Sequence, residues 1–198
     1  VDRGYGRVDV AVINSELVGF EIKSGADTLT RFSRQVATFG RCMERLTLVV
    51  EKSHLAAARQ TMPRWWGILE AQPVPGKPDH VQILHRRRAR RNPHLDTTKV
   101  ASLLWVAELR QIVDELQINK QLKRLPKQQL DSTIAAALTQ RELLDHVRRL
   151  IKARGDWRPD PPLYSRGAKQ PTRPTESCRR TYLSWLLSQH TRHRQQTD

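Results

Sequence analysis

The sequence predicts an α/β fold: a mixed β-sheet flanked by helices, followed by a mainly helical C-terminal region. Three observations predict it. Short β-branched or aromatic apolar runs fill the first half, at 7–13, 17–23, 46–50, 65–69 and 81–84. Helical spacing of apolar residues interrupts them at about 28–43 and 53–60, giving the order β-β-α-β-α-β-β. From Asp96 onward the apolar residues recur at helical spacing only. At 198 residues and 38% hydrophobic, the chain can bury a substantial core. The expected divisions are a sheet-bearing core over 1–92, a helical basic region over 93–155, and a loop with a final helix over 156–198.

Arg7–Ile13 (RVDVAVI) alternates and is β-branched, which reads as a strand. Asn14-Ser15-Glu16 reads as a turn, and Leu17–Lys23 as the returning strand. Alternate residues of a strand share a face, so Gly19, Glu21 and Lys23 belong together, with Val18, Phe20 and Ile22 opposite. A three-residue loop pairs Ile13 with Leu17 and sets Asp9 opposite Glu21. A two-residue loop puts the two acids on opposite faces. Asp27 is expected to cap a helix over about 28–43, with Leu29, Phe32, Val36, Phe39 and Met43 as its apolar stripe and Gln35 beside it.

Leu46–Val50 (LTLVV) is a continuous apolar run, suited to a buried strand. Ser53 is expected to cap a short helix that Pro63 ends. Trp65–Leu69 reads as a strand, with the Trp pair as core rather than a platform for stacked bases. Val81–Leu84 is a last strand after a Pro/Gly loop at 73–78. The run Arg86–Arg91 (RRRARR) follows, and Asn92-Pro93 breaks it. It suits a solvated linker or a phosphate-contacting patch. One helix is expected from Asp96 or Thr97 to about Leu116, a second over 127–138 and a third over 140–153. Residues 156–175 read as a loop, and a final helix spans about 176–191. His190 and His193 have helical ligand spacing without a third ligand, so they read as a surface pair.

The net charge is +15, spread over both halves of the chain. That favours a polyanionic partner, most simply DNA, with RNA left open. No apolar run approaches the ~20 residues of a membrane span, so no membrane partner is expected. Cys42 and Cys178 form no C-x-x-C motif, so a reducing, cytoplasmic setting is expected. There is no Gly-rich phosphate loop and no nucleophile elbow. A homodimer is compatible with the sequence.

The chemistry concentrates on Asp9, Glu21 and Lys23. Two carboxylates opposed across a hairpin repel each other, and a cation between them makes them a ligand pair. Mg²⁺ takes hard oxygen ligands, typically one or two carboxylates with water and phosphate. Asp9 and Glu21 would supply the carboxylates and the Ile22 carbonyl a third oxygen. Lys23 would position the attacking water or neutralise charge developing on phosphorus. Arg31 and Arg34, flanking Gln35, and Arg86, Arg87, Arg88, Arg90 and Arg91 are the candidate nucleic-acid contacts. The alternative is an ordinary solvated sheet face, because Glu-x-Lys on a strand is common.

At Asp9, Glu21-Ile22-Lys23, the helix bearing Gln35 and the Leu46–Val50 strand, the chain resembles the PD-(D/E)xK nuclease superfamily, the restriction-endonuclease-like fold. The resemblance covers about residues 1–70. Gln35-x-x-x-Phe39 is similar to the Gln-x-x-x-Tyr motif of its RecB-like branch. EIKS, the RQV helix, LTLVV and PRWWG look like a family of small bacterial and phage proteins within it. The resemblance implies a nuclease core over 1–92 that cleaves DNA with Mg²⁺ or Mn²⁺. It makes Asp9 and Glu21 ligands, Lys23 the catalytic lysine and Gln35 an accessory residue. Val8 stands where the motif has Pro, and the family's N-terminal helix, often bearing another acid, is absent or precedes Val1. Some members of the superfamily bind without cleaving, so a non-catalytic nucleic-acid-binding protein is the other expectation.

Overall fold

A computed structural model describes residues 8–24 and 40–155. Five strands form one mixed sheet in the order β1-β2-β3-β4-β5. They are β1 (Val10–Ile13), β2 (Leu17–Lys23), β3 (Arg45–Glu51), β4 (Gly67–Val74) and β5 (Lys77–Arg87). β1 runs antiparallel to β2, then β2, β3 and β4 run parallel, and β5 returns antiparallel to β4. The strand sequence and the mixed sheet are those expected.

The first hairpin takes the three-residue loop: Ile13 pairs with Leu17 and Val10 with Phe20. Every pair sums to the same register, which continues to Asp9 opposite Glu21 just beyond the end of β1. β3 is buried along both faces, as a central parallel strand must be. Its connection to β4 contains α1 (Leu55–Thr61), entered through a 3-10 turn at Lys52–His54 with no side-chain cap from Ser53. The second hairpin is tighter than expected. β4 runs through Pro73 to Val74, Gly76 takes a positive φ of 72°, and β5 starts at Lys77. A turn at this conformation suits glycine. β5 therefore absorbs Arg86 and Arg87 from the basic run.

The sheet has two faces. One packs Leu17, Leu46, Leu48, Val50 and Ile68 into a cluster that includes Ala58 of α1 and residues of the C-terminal helices as far as Ile151. Sheet and helices share that core. The other face carries a smaller cluster of Val12, Val18, Phe20, Val49 and Leu69. Trp65 and Trp66 are buried, with ring centroids 5.7 Å apart, in the turn before β4 rather than on the strand. They are core residues.

The C-terminal helices are α2 (Thr97–Ala101), α3 (Val106–Glu115), α4 (Lys127–Ala137) and α5 (Gln140–Ala153). Asp96 caps α2, as expected, by accepting from the Lys99 N–H. The single helix expected over 97–116 is two helices. The backbone breaks where cations take its carbonyls: Lys127 Nζ donates to the Ser102 oxygen and Arg154 to that of Leu103. Glu108 then accepts from the Trp105 N–H at 2.6 Å and restarts the helix. α4 and α5 match their expected ranges closely, and Thr139 and Glu142 cap α5 reciprocally.

Of the helix expected over 28–43, residues 28–39 lie outside the described residues. Gly40–Cys42 form a turn rather than helix. Asn92 explains it, because its amide donates to the carbonyls of Gly40 and Met43 at 2.7 and 2.9 Å. Gln35, Arg31, Arg34 and the final helix also lie outside the described residues.

Candidate active site

Glu21 sits near the C-terminal end of β2, on the face that also carries Leu17 and Gly19. It is 1% exposed. The Lys23 amine, two residues on and therefore on the same face, donates to the Glu21 carboxylate at 2.8 Å. A charge withdrawn this far from water requires a partner of opposite sign, and β-strand parity supplies it from the next residue but one. Glu21 and Lys23 are thus brought together as expected.

Asp9 is exposed, past the end of β1, and its Oδ2 accepts from the Ile22 N–H at 2.8 Å. The carboxylate replaces the main-chain acceptor that a longer β1 would have provided. A residue's N–H and C=O point to the same side of a strand, so the Ile22 carbonyl also faces the Asp9 side. Near the end of β2, Asp9 thus holds the Ile22 backbone while Lys23 holds the Glu21 side chain. The donor set is two carboxylates and a main-chain oxygen, of the hard type that Mg²⁺ or Mn²⁺ takes. Among the described residues, no three His, Cys, Asp or Glu side chains cluster closely enough to hold a metal ion by themselves.

The register extends this site along the sheet. Lys23 neighbours Val50 on β3, and Val50 neighbours Glu70 on β4. Glu70 is therefore on the same face, two strands and about 10 Å across. It is 1% exposed. Gln72 Nε2 donates to one of its oxygens, and Arg86 Nε to the other at 2.7 Å. The hydrogen bond from Gln72 holds the carboxyl below its usual range; burial opposes this, and Arg86 reinforces it. Sequence reasoning passed over Glu70. The signal was there, a lone acid closing the apolar run Gly67–Leu69.

The arginine run divides. Arg86 reaches Glu70 on the site face. Arg87 is tied to the backbone, donating to the Trp66 and Pro63 carbonyls at 2.7 and 3.1 Å. Burial, with Arg59 nearby, lowers its pKa. Arg88, Arg90 and Arg91 are exposed, on a strap that runs past the starts of β4 and β3. The Arg90 N–H donates to the Trp65 carbonyl, and the Ala89 carbonyl accepts from Arg45 at 3.1 Å. Those three arginines lie at the opposite end of the parallel strands from Glu21 and Lys23.

Glu44 is a second buried acid that sequence reasoning passed over, at 1% exposed. It accepts from the Leu17 N–H at 2.8 Å and from Arg148 of α5 at 2.9 Å. Its role is architectural, joining the hairpin, β3 and α5. Among the described residues, no helix is long and apolar enough to cross a membrane.

Residues 1–161 match the family described as Bacteriophage P4 protein cII. The chain belongs to that family. No curated protein and no solved structure matched it.

Proposed function

We propose that this member of the phage P4 cII family is a metal-dependent nuclease of the PD-(D/E)xK type that hydrolyses DNA phosphodiesters. One observation carries the reading: a three-residue hairpin loop sets Asp9 opposite Glu21, and Lys23 lies 2.8 Å from the Glu21 carboxylate. Asp9, Glu21 and the Ile22 carbonyl would hold Mg²⁺ or Mn²⁺. When bound, the cation supplies Lewis acidity toward the phosphate and lowers the pKa of water. Lys23, held against Glu21, orients the attacking water and neutralises charge on the phosphate oxygens as it develops. Glu21 in turn holds the amine on the site face. In this reading Gln35, Arg31 and Arg34 act from the segment that follows β2.

A second reading, a nucleic-acid-binding protein on the same scaffold without turnover, is favoured by the low exposure of Glu21 and by the Asp9 carboxylate's engagement with the Ile22 N–H. Cleavage of single- and double-stranded DNA separates the two. With Mg²⁺ or Mn²⁺, the parent protein is expected to cut and chelation to stop it. Glu21→Gln, Lys23→Met and Asp9→Asn are expected to lose about 10²–10⁴-fold in rate. Turnover indifferent to all three substitutions removes the site. Binding without turnover under any metal selects the second reading.

A further inference from the structure

We infer that the protein holds the phosphate backbone of DNA on a basic surface at the N-terminal ends of the parallel strands, remote from Glu21 and Lys23. This rests on the nucleic-acid reading above but not on hydrolysis. The surface has two parts. One is the strap bearing Arg88, Arg90 and Arg91. The other is an open groove of about 570 Å³ between the first hairpin loop and α5, lined by Asn14, Ser15, Asp145, Arg148, Arg149 and Lys152.

Glu44 joins the parts. One of its oxygens accepts from Arg148, and the other lies 3.6 Å from the Arg91 guanidinium. The strap and α5 thus converge on one buried carboxylate, which fixes their spacing while their remaining cations face outward. Arg148 is committed to structure, donating also to the Ser15 carbonyl at 2.8 Å and to Asp145 at 2.6 Å. Arg149 is partly committed, through Glu115. Arg88, Arg90 and Lys152 are exposed and belong to none of the side-chain ion pairs among the described residues. Exposed cations on both the strap and α5 lack a counter-charge among the described side chains, and a line of phosphates supplies one. The asparagine and serine of the hairpin loop add neutral hydrogen-bonding groups, common in phosphate contacts.

The distance between surface and site follows from the sheet. Leu17, bonded to Glu44, starts the seven-residue strand β2, and Lys23 ends it six residues later. At about 3.3 Å per residue the two ends are ~20 Å apart. Backbone binding and hydrolysis are therefore separable by mutation.

The test is equilibrium binding of the full-length chain to a double-stranded DNA oligonucleotide, with a chelator present, across a salt series. Log affinity of the parent should fall linearly with log salt. The triple variant Arg88→Gln/Arg90→Gln/Lys152→Gln should bind on the order of tenfold more weakly, with a slope shallower by about 0.9 for each phosphate it no longer neutralises. Thermal unfolding of the triple variant should match the parent, because the three side chains are exposed. Equal affinity and slope for triple variant and parent overturn the surface, even where Glu21-dependent cleavage is found. No salt-dependent DNA binding by the parent, or capture of an acidic protein in its place, overturns it as well. A weakened triple variant in a protein that never cuts supports the surface and removes only the hydrolytic reading.

Discussion

The Arg148 guanidinium of α5 lies 2.9 Å from the Glu44 carboxylate at the start of β3, across 104 residues of sequence. Glu44 is 1% exposed and also receives the Leu17 N–H. Burial works against the charge on Arg148, and the carboxylates of Asp145 and Glu44 more than restore it, raising its pKa. Removing one member of such a pair leaves the other charge without water or its main partner. Arg148→Met is expected to cost about 3–5 kcal/mol in urea unfolding at neutral pH. The double variant Glu44→Gln/Arg148→Met should recover part of that loss. A cost below about 1 kcal/mol for the single variant would place the pair among ordinary surface ion pairs.

Gly67 opens β4 where the strap crosses. A Cβ there would lie 2.8 Å from Thr47 Oγ1, 3.0 Å from the Ala89 nitrogen and 3.1 Å from the Ala89 Cβ. The Ala89 nitrogen is main chain and cannot rotate away. Gly67→Ala is therefore expected to push the strap off the sheet and destabilise the fold by about 1–3 kcal/mol. For a chain of this size, that is a fall in Tm of about 2–4 °C per kcal/mol. Calorimetry measures it, and an unchanged Tm would show that the strap does not depend on this close approach.

Glu108 and Arg154 form a bidentate pair, with both bonds at 2.6 Å, and the guanidinium lies 4.3 Å from the Trp105 ring centroid. Burial alone would raise the Glu108 carboxyl, but Arg154 and the Trp105 N–H outweigh it and hold it below the usual range. The unfolded chain therefore takes up this proton more readily than the folded one. The pair's contribution is complete above the ordinary carboxyl range and is lost as pH falls through the lower folded value. Unfolding free energy should drop as the pH is lowered below about 4. Arg154→Met should reduce stability at neutral pH and flatten that acid slope in part, since Glu115 and Glu142 are depressed as well. An acid slope unchanged by Arg154→Met would assign it to those other carboxyls.

The residues differ in how far their surroundings could be read in advance. Asp9 and Glu21 were legible because strand period and loop length are local. Once Asn14-Ser15-Glu16 is the loop, parity alone sets which acids face each other. The range of α5 was legible for the same reason, through the regular spacing of Leu143, Val147 and Leu150. The helix over 97–116 was read wrongly because its periodicity is intact. It breaks at Ser102–Trp105 because Lys127 and Arg154, distant in sequence, take its carbonyls.

By itself the sequence determined which stretches form the strands, the shared face of Glu21 and Lys23, and the positive charge, and it left the register of the first hairpin to the choice between a two- and a three-residue loop. These depend on side-chain period, turn length and composition, all local quantities. The tertiary structure alone decided that Glu44 and Glu70 are buried and partnered, that Arg86 and Arg87 serve the protein's own carboxylate and carbonyls, and that Arg88, Arg90 and Arg91 sit at the far end of the sheet. A buried charge is tolerated only where another segment delivers its counter-charge. Asn92 reaches Gly40 across 52 residues, and Arg148 reaches Glu44 across 104. Such partners are set by how strands and helices stack, which no local period encodes.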